Sequence, residues 1–309
     1  MGTWGLFLFA LLQLAGRAGE DALYTLKVDV PVVTVDVSVD DSNGNLVSNL
    51  TRDDFLIYES GEPQDIRFFS PVSAPYNVFL LFDRSGSTQG KRDFMRRAIT
   101  AFVVTLRPQD RTALGYFDDE LKVPLRWNAD KTKILAAVNE LMESRVSNGT
   151  NFYASLDRTL RSEFDGTTGR RAVIVLTDGE DTSSSRQFNR LFERTLKTAK
   201  ARHIPIYLIA WDEGADLKNP FPSLQEYFET VRRNMEQLAD VSGGQILFPK
   251  NLKDVVPLYQ QIGRQLGTSY SLGYVPETRG PAGSFRRIEV KTRASGLRVT
   301  QSRTGYYVR

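Results

Sequence analysis

Cysteine is absent from the 309-residue chain, and histidine occurs only once, at His203. The lack of cysteine excludes disulfide scaffolds, thiolate zinc sites, iron–sulfur clusters and cysteine nucleophiles. A single histidine also excludes metal sites built on two histidines. A serine–histidine hydrolase would have to use His203, but no G-x-S-x-G motif accompanies it, and it directly precedes the apolar run 204–211. Any metal site in this chain would therefore depend mainly on side-chain oxygen atoms as ligands.

A strong charge of one sign is also lacking. The chain has 40 Lys plus Arg against 37 Asp plus Glu, a formal net charge of +3. Nothing in this balance requires nucleic acid, and we expect no nucleic-acid partner. Hydrophobic residues at 41% and charged residues at 25% are typical of folded globular proteins. At roughly 150 residues per domain, the length predicts about two domains.

Long hydrophobic runs are missing except near the start, where residues 6–12 read LFLFALL. Small residues follow at Gly16 and Ala18. This pattern predicts a signal peptide over 1–18 and a secreted, periplasmic or cell-surface protein. No Lys or Arg precedes the apolar run, so a retained anchor is the alternative. The run is shorter than the ~18–20 residues of a spanning helix, and we expect no integral membrane span after signal removal.

The segment 24–74 has the pattern of β-structure. Valines alternate with polar residues over 33–39, which predicts a half-buried strand. Asn43-Gly44 predicts a hairpin turn, because this pair favours the backbone conformation of a two-residue turn. A calcium loop is the alternative, but the spacing of its ligands is absent. Further short strands are predicted at 46–50 (LVSNL), 53–60 (DDFLIYES) and 66–70 (IRFFS).

Strands and helices alternate over 75–267. In residues 77–83 (NVFLLFD), all five positions between Asn77 and Asp83 are apolar, as expected of a strand buried on both faces. The alternation predicts an α/β domain with a doubly wound, mostly parallel sheet. Short strand patterns return over 268–309. We therefore expect the segments 24–74 and 268–309 to pair into a small β-sandwich from which the α/β domain emerges as an insertion.

Oxygen-bearing side chains follow two of the predicted buried strands, and another lies in a loop between them. Ligands of open α/β sheets bind beyond the carboxyl ends of strands, at the point where strand order reverses. The two strands are followed by DRSGS and TDGED, and the loop reads SNGTN. These supply two carboxylates and three hydroxyls, a set that suits a hard cation such as Mg²⁺, or Mn²⁺ or Ca²⁺. The donors are Asp83, Ser85, Ser87, Thr150 and Asp178.

The five-residue set resembles the metal-ion-dependent adhesion site of von Willebrand factor type A domains, over about residues 75–267. The flanking β segments are similar to those of the VWFA-related Acidobacterial domain group of exported bacterial proteins. The resemblance implies that Ser85, Ser87 and Thr150 bind the ion directly, whereas Asp83 and Asp178 bind it directly or through water. It leaves a sixth position for an Asp or Glu carboxylate of a protein or peptide partner.

The resemblance implies an exported, non-enzymatic adhesion module. Two other functions stay open. One is a scaffold component of an envelope assembly, in which the metal is structural. The other is a Mg²⁺-dependent phosphatase with Asp83 as nucleophile, but Ser85 stands where that chemistry expects a second carboxylate.

Basic residues surround the first loop. Arg84 is the variable position of the D-x-S-x-S motif, and we expect it at the surface, at a rim that favours acidic partners. The cluster KRDFMRR at 91–97 predicts a solvated basic face on the following helix, with the alternative that it steers an acidic partner towards the ion.

Overall fold

The structure is a computed structural model that describes residues 32–143, 149–210, 222–249, 251–276 and 281–308. The predicted signal peptide at 1–18 and the beginning of the first β segment, 24–31, lie outside the described residues. The side chain of Ser87 also lies outside them.

The described elements follow the order β, then α/β, then β. The first segment contains β1 (Val33–Asp40), β2 (Phe55–Glu59), β3 (Glu62–Gln64) and β4 (Ile66–Ser70). The middle contains β5 (Tyr76–Asp83), α1 (Arg92–Thr105), β6 (Arg111–Phe117), β7 (Leu121–Asn128), α2 (Lys131–Glu143), α3 (Phe152–Arg158), β8 (Arg170–Thr177), α4 (Ser185–Arg202), β9 (Ile206–Ala210), α5 (Pro222–Ser242), β10 (Gln245–Leu247) and α6 (Val255–Thr268). The last segment contains β11 (Tyr270–Tyr274), β12 (Phe285–Thr292), β13 (Arg298–Gln301) and β14 (Gly305–Tyr307).

A six-stranded sheet with the order β10-β9-β8-β5-β6-β7 forms the centre of the α/β domain. Its strands are parallel except for the edge strand β7. β5 and β9 are buried along their whole length because α1, α2 and α6 cover one face of the sheet and α3, α4 and α5 cover the other. Strand order reverses between β5 and β8. The prediction of a doubly wound, mostly parallel sheet is confirmed.

The flanking segments form a small β-sandwich of two antiparallel sheets, ordered β13-β1-β11-β4 and β14-β12-β2-β3. Each sheet combines strands from before and after the α/β domain. Between them, Val35, Val37 and Val39 of β1 pack in one core with Phe55 and Ile57 of β2. The predicted pairing of the flanking segments is confirmed.

The predicted strand at 46–50 is wrong, because only Leu46 pairs there, in a single bridge with Asp40. The Tyr270 hydroxyl accepts a hydrogen bond from the Leu50 N–H at 3.0 Å and donates one to the Val47 carbonyl at 2.8 Å. A side chain therefore bonds the backbone groups that a neighbouring strand would otherwise bond. The predicted turn is confirmed, with Gly44 at φ +82°.

β1 is buried more completely than the predicted half-buried strand, because its polar face packs against the α/β domain. Asp36 is 3% exposed and accepts hydrogen bonds from the Tyr207 hydroxyl at 3.2 Å and the Ser271 hydroxyl at 2.6 Å. Burial raises the pKa of Asp36. The Thr34 hydroxyl donates to the Ser242 carbonyl at 3.3 Å. The alternation in β1 therefore separates a hydrophobic core from a polar junction.

Candidate metal centre

Two of the predicted ligands follow neighbouring strands at the point where strand order reverses. Asp83 is the last residue of β5, and Asp178 comes directly after β8. The two strands are paired in parallel, with Phe82 opposite Leu176. Both carboxylates are buried, Asp83 at 1% and Asp178 at 3% exposed. The sheet topology therefore brings together two acidic groups that are 95 positions apart in the sequence.

The Asp83 carboxylate is held by both oxygens. Oδ1 accepts a hydrogen bond from the Ser85 N–H at 2.9 Å, and Oδ2 accepts one from the Thr177 hydroxyl at 2.8 Å. The Thr88 hydroxyl bonds the carbonyls of Asp83 and Ser85 at 3.0 and 2.9 Å, which fixes the loop after β5. Burial, and then the charge of Asp178, raise the pKa of Asp83 to about 7.

Thr150, on the third predicted loop, is bonded to the segment that carries Asp178. The Thr150 N–H donates to the Thr182 hydroxyl at 3.0 Å, and the Thr182 N–H donates to the Thr150 carbonyl at 2.8 Å. Thr150 is 4% exposed. Ser87 lies in the 3-10 helix Gly86–Lys91, and its position as a ligand stays a prediction.

Arg84 does not project from the rim as expected. Its guanidinium forms an ion pair with Asp118, a side chain 2% exposed, and lies 4.0 Å from the centre of the Tyr116 ring. The Asp118 carbonyl accepts a hydrogen bond from the Asn151 N–H at 2.7 Å. The charge of Arg84 therefore joins the loop after β5 to the loop that carries Thr150.

The residues present fit a hard divalent cation. The two buried carboxylates repel each other, and a cation shared by them would remove that repulsion. Hydroxyl-bearing residues complete an oxygen-only set. Within the described ranges, no group of three or more His, Cys, Asp or Glu side chains is placed to hold a metal. A site here is therefore distinguished by its hydroxyls, not by a cluster of acids.

Three threonines that support the site were not predicted from the sequence: Thr88, Thr177 and Thr182. Thr177 and Thr182 flank Asp178 in the run TDGEDT, and Thr88 follows the D-x-S-x-S motif directly. A hydroxyl next to a carboxylate in a strand-end loop is the signal that could have identified them. All three hold backbone or carboxylate groups in place.

Gly179 fixes the backbone next to Asp178. It has φ +80°, and a Cβ there would lie 2.6 Å from the Met235 sulfur and 2.8 Å from Val231. We expect Gly179→Ala to lower the free energy of unfolding by about 2–4 kcal/mol, since left-handed strain and overpacking both oppose it. Urea denaturation measures this loss.

Gly166→Ala is the matched control. Gly166 has φ +76°, but a Cβ there would meet nothing within 4 Å. The control should cost only the backbone strain, about 1–2 kcal/mol. Equal losses in the two variants would contradict the role assigned to α5 packing against the Asp178 loop.

Comparisons with known proteins identify the family and the fold. Residues 77–243 match the family model of the von Willebrand factor type A domain. A solved von Willebrand factor type A structure from Catenulispora acidiphila is 12% identical, with a TM-score of 0.50 over 90% of this chain and 74% of that chain. The pilus adhesin SpaC from Lactobacillus rhamnosus GG, in its open conformation, is 10% identical, with a TM-score of 0.50 over 87% of this chain and 46% of that chain.

At these identities the two structures show similarity of fold alone. No curated protein sequence matches the chain. The family match covers more than half of the 309 residues and includes the ends of β5 and β8, where Asp83 and Asp178 lie. The chain belongs to the von Willebrand factor type A family.

Proposed function

We propose that this protein is a metal-dependent adhesion module. Asp83, Ser85, Ser87, Thr150 and Asp178 hold a divalent ion, Mg²⁺ or else Mn²⁺ or Ca²⁺. The observation that carries the proposal is the buried pair Asp83 and Asp178 at the switch point, where the charge of one raises the pKa of the other. A bound ion supplies an electrophilic centre, because only two carboxylate charges oppose its two positive charges.

The chain's own residues have separate parts in this proposal. Thr177 and the Ser85 N–H orient the Asp83 carboxylate, and Thr182 holds the Thr150 loop. The partner is a protein or peptide whose Asp or Glu carboxylate occupies the remaining position. The proposed activity is binding without chemical turnover.

The proposed location is outside the cytoplasm: secreted, periplasmic or cell-surface, after removal of a signal peptide at 1–18. Among the helices in the described part of the chain, none has both the length and the apolar character needed to cross a bilayer. We propose 75–267 as the bounds of the type A domain, with 24–74 and 268–309 as the two halves of the β-sandwich.

The proposal predicts that Thr150→Val weakens metal binding at least about tenfold, because one oxygen donor is replaced by a methyl group of similar volume. Calorimetric titration with Mn²⁺ and Mg²⁺ measures the affinity. Thr195→Val is the matched control. Thr195 is also buried, but its hydroxyl bonds the Tyr153 carbonyl at 2.9 Å, between α3 and α4. The control should bind metal like the wild type, and equal affinity in all three proteins would refute the assignment of Thr150.

A second measurement tests the partner. A library of peptides that each contain one Asp is compared with the same library carrying Asn instead. We expect binding only to the Asp peptides, only with Mg²⁺ or Mn²⁺, and loss of that binding with chelator. Binding that persists in chelator would instead support a scaffold contact through the β-sandwich.

A further inference from the structure

Helix α4 carries a row of exposed positive charges. Arg186, Arg190, Arg194, Lys197 and Lys200 are all exposed. At 100° per residue they fall within an arc of about 120°, and at 1.5 Å per residue the row is about 21 Å long. Glu193 is the only acidic residue on this face. We call these five residues the α4 basic row.

The α4 basic row differs from other basic helix surfaces of this protein in how its charges are used. On α1, Arg92 donates to the Met142 carbonyl at 2.9 Å, and Arg97 lies 4.5 Å from the centre of the Phe94 ring. On α5, Arg232 bonds Glu236 at 3.3 Å. These basic residues therefore have intramolecular contacts that occupy them.

On α4, Arg194 bonds Asp157, a residue of α3, at 3.0 Å. Arg186, Arg190 and Lys197, in contrast, form no ion pair with any part of the chain that the structure describes. The row therefore has three positive charges directed to solvent along one line, in a chain whose net charge is only +3.

We propose that the α4 basic row binds a linear acidic polysaccharide through its successive carboxylate or sulfate groups. Arginine and lysine side chains in a row match a polymer with regularly repeated anionic groups, and arginine binds such oxyanions with two parallel hydrogen bonds. This inference does not depend on the metal site.

The surroundings of the row argue against other polyanions. The aromatic residues of α4, Phe188 and Phe192, are buried in the core, so the row has no ring on which nucleic-acid bases could stack. α4 packs between α3 and α5 on the same face of the sheet. Packed helices lie about 8–10 Å apart, so the two neighbours of α4 would prevent it from entering a major groove about 12 Å wide. The exposed residues of α4 include no large apolar side chain that could insert into a lipid bilayer.

The test uses the full chain in the presence of chelator, with heparin as the sulfated probe and polygalacturonate as the carboxylated probe. The triple variant R186E/R190E/K197E should bind at least about tenfold more weakly than the wild type, because attraction becomes repulsion at three contacts. Wild-type binding should also weaken steeply as salt rises, with a log–log slope of about −2 to −3 for three contacts. The relative affinities for the two probes identify sulfate or carboxylate as the preferred group.

R52E/R67E/R298E is the matched control, since it makes the same change in net charge on the exposed surface of the β-sandwich. It should bind both probes like the wild type. If the charge-reversal variant does not fold, R186Q/R190Q/K197Q should still weaken binding about three- to fivefold. Three results would overturn the proposal: equal binding by wild type and α4 variants, equal loss in the control, or tighter α4-dependent binding to duplex DNA or anionic phosphatidylglycerol vesicles than to either polysaccharide.

Discussion

Asp83→Asn is expected to abolish detectable Mn²⁺ and Mg²⁺ binding and, at the same time, to stabilise the metal-free protein at neutral pH. Asparagine keeps an oxygen that can accept the Ser85 N–H bond. However, it removes the negative charge of the carboxylate, which burial and the charge of Asp178 both disfavour. The substitution therefore separates the cost of holding two buried carboxylates together from the binding of the ion that would offset it.

The pH dependence gives the sign of the effect. The pKa of Asp83 is raised in the folded state from 3.8 to about 7, so the folded protein retains this proton more strongly than the unfolded chain. The resulting stabilisation is complete below about pH 4 and is lost as pH rises towards 7 and above. At about 1.4 kcal/mol per unit of pKa shift, the loss reaches about 4 kcal/mol at most. Asp83→Asn should lack this loss.

Urea denaturation in chelator, at pH 4 and pH 8, measures the difference between wild type and Asp83→Asn. Asp110→Asn is a control of opposite sign: although burial opposes it, hydrogen bonds from Arg107 and the Tyr76 N–H lower the pKa of Asp110. This control should destabilise the protein at pH 8. Retained metal binding by Asp83→Asn, or lower stability than wild type at pH 8, would contradict the model of two mutually repelling carboxylates.

Arg170→Met is expected to lower the free energy of unfolding by about 3–5 kcal/mol. Arg170 is 3% exposed at the start of β8. It donates to the carbonyls of Val72, Ala74 and Ser269, which belong to the two connections between the β-sandwich and the α/β domain. Its guanidinium also lies 4.5 Å from the centre of the Tyr76 ring.

The size of this effect comes from the groups that methionine would leave behind. The positive charge of Arg170 favours the charged form of Asp36, which would stay buried with less compensation. The Ser269 carbonyl would lose its bond to the guanidinium, whereas Arg107 also bonds the Ala74 carbonyl, at 2.9 Å, and would remain. Removing one partner of a buried charged network costs more than the network itself contributes.

Guanidinium chloride denaturation measures the loss, with Arg111→Met as the matched control. Arg111 begins β6, on the other side of β5, but it is exposed and donates one hydrogen bond of 3.1 Å to the Trp127 carbonyl. This control should change the free energy of unfolding by less than about 1 kcal/mol. Similar losses in both variants would show that the two connections do not depend on Arg170.

The parts of the fold that could be predicted are those that depend on local pattern. The continuous apolar run of β5 requires burial on both faces, and this requirement led to the doubly wound sheet. Topology then predicted that Asp83 and Asp178 would meet, because both follow strands in the same parallel sheet. The site prediction therefore depended on strand ends more than on the identity of any one residue.

The parts that could not be predicted are contacts between distant segments. The polar residues of β1 have the alternation of a solvent-facing strand, and nothing local to Asp36 indicates that Tyr207 and Ser271 bond it. In the same way, the pattern of 46–50 is typical of a strand, but the Leu50 N–H and the Val47 carbonyl bond the hydroxyl of Tyr270 instead of a neighbouring strand. Arginine is usually found at the surface, and nothing near Arg84 in the sequence indicates its partner Asp118, which lies 34 positions further on.

The two connections to the β-sandwich are at the opposite end of the α/β domain from the candidate metal site. One of them enters β5 at Tyr76, and the other is Ser269, the single residue between α6 and β11. A tensile force applied at the metal edge, with the sandwich held, therefore acts along the length of β5 and β8. Sliding β5 past its neighbours would break the hydrogen bonds of two parallel ladders together, instead of one at a time. The arrangement places the proposed ligand contact and the sandwich at opposite ends of β5 and β8, so a force between them is carried along these two paired strands.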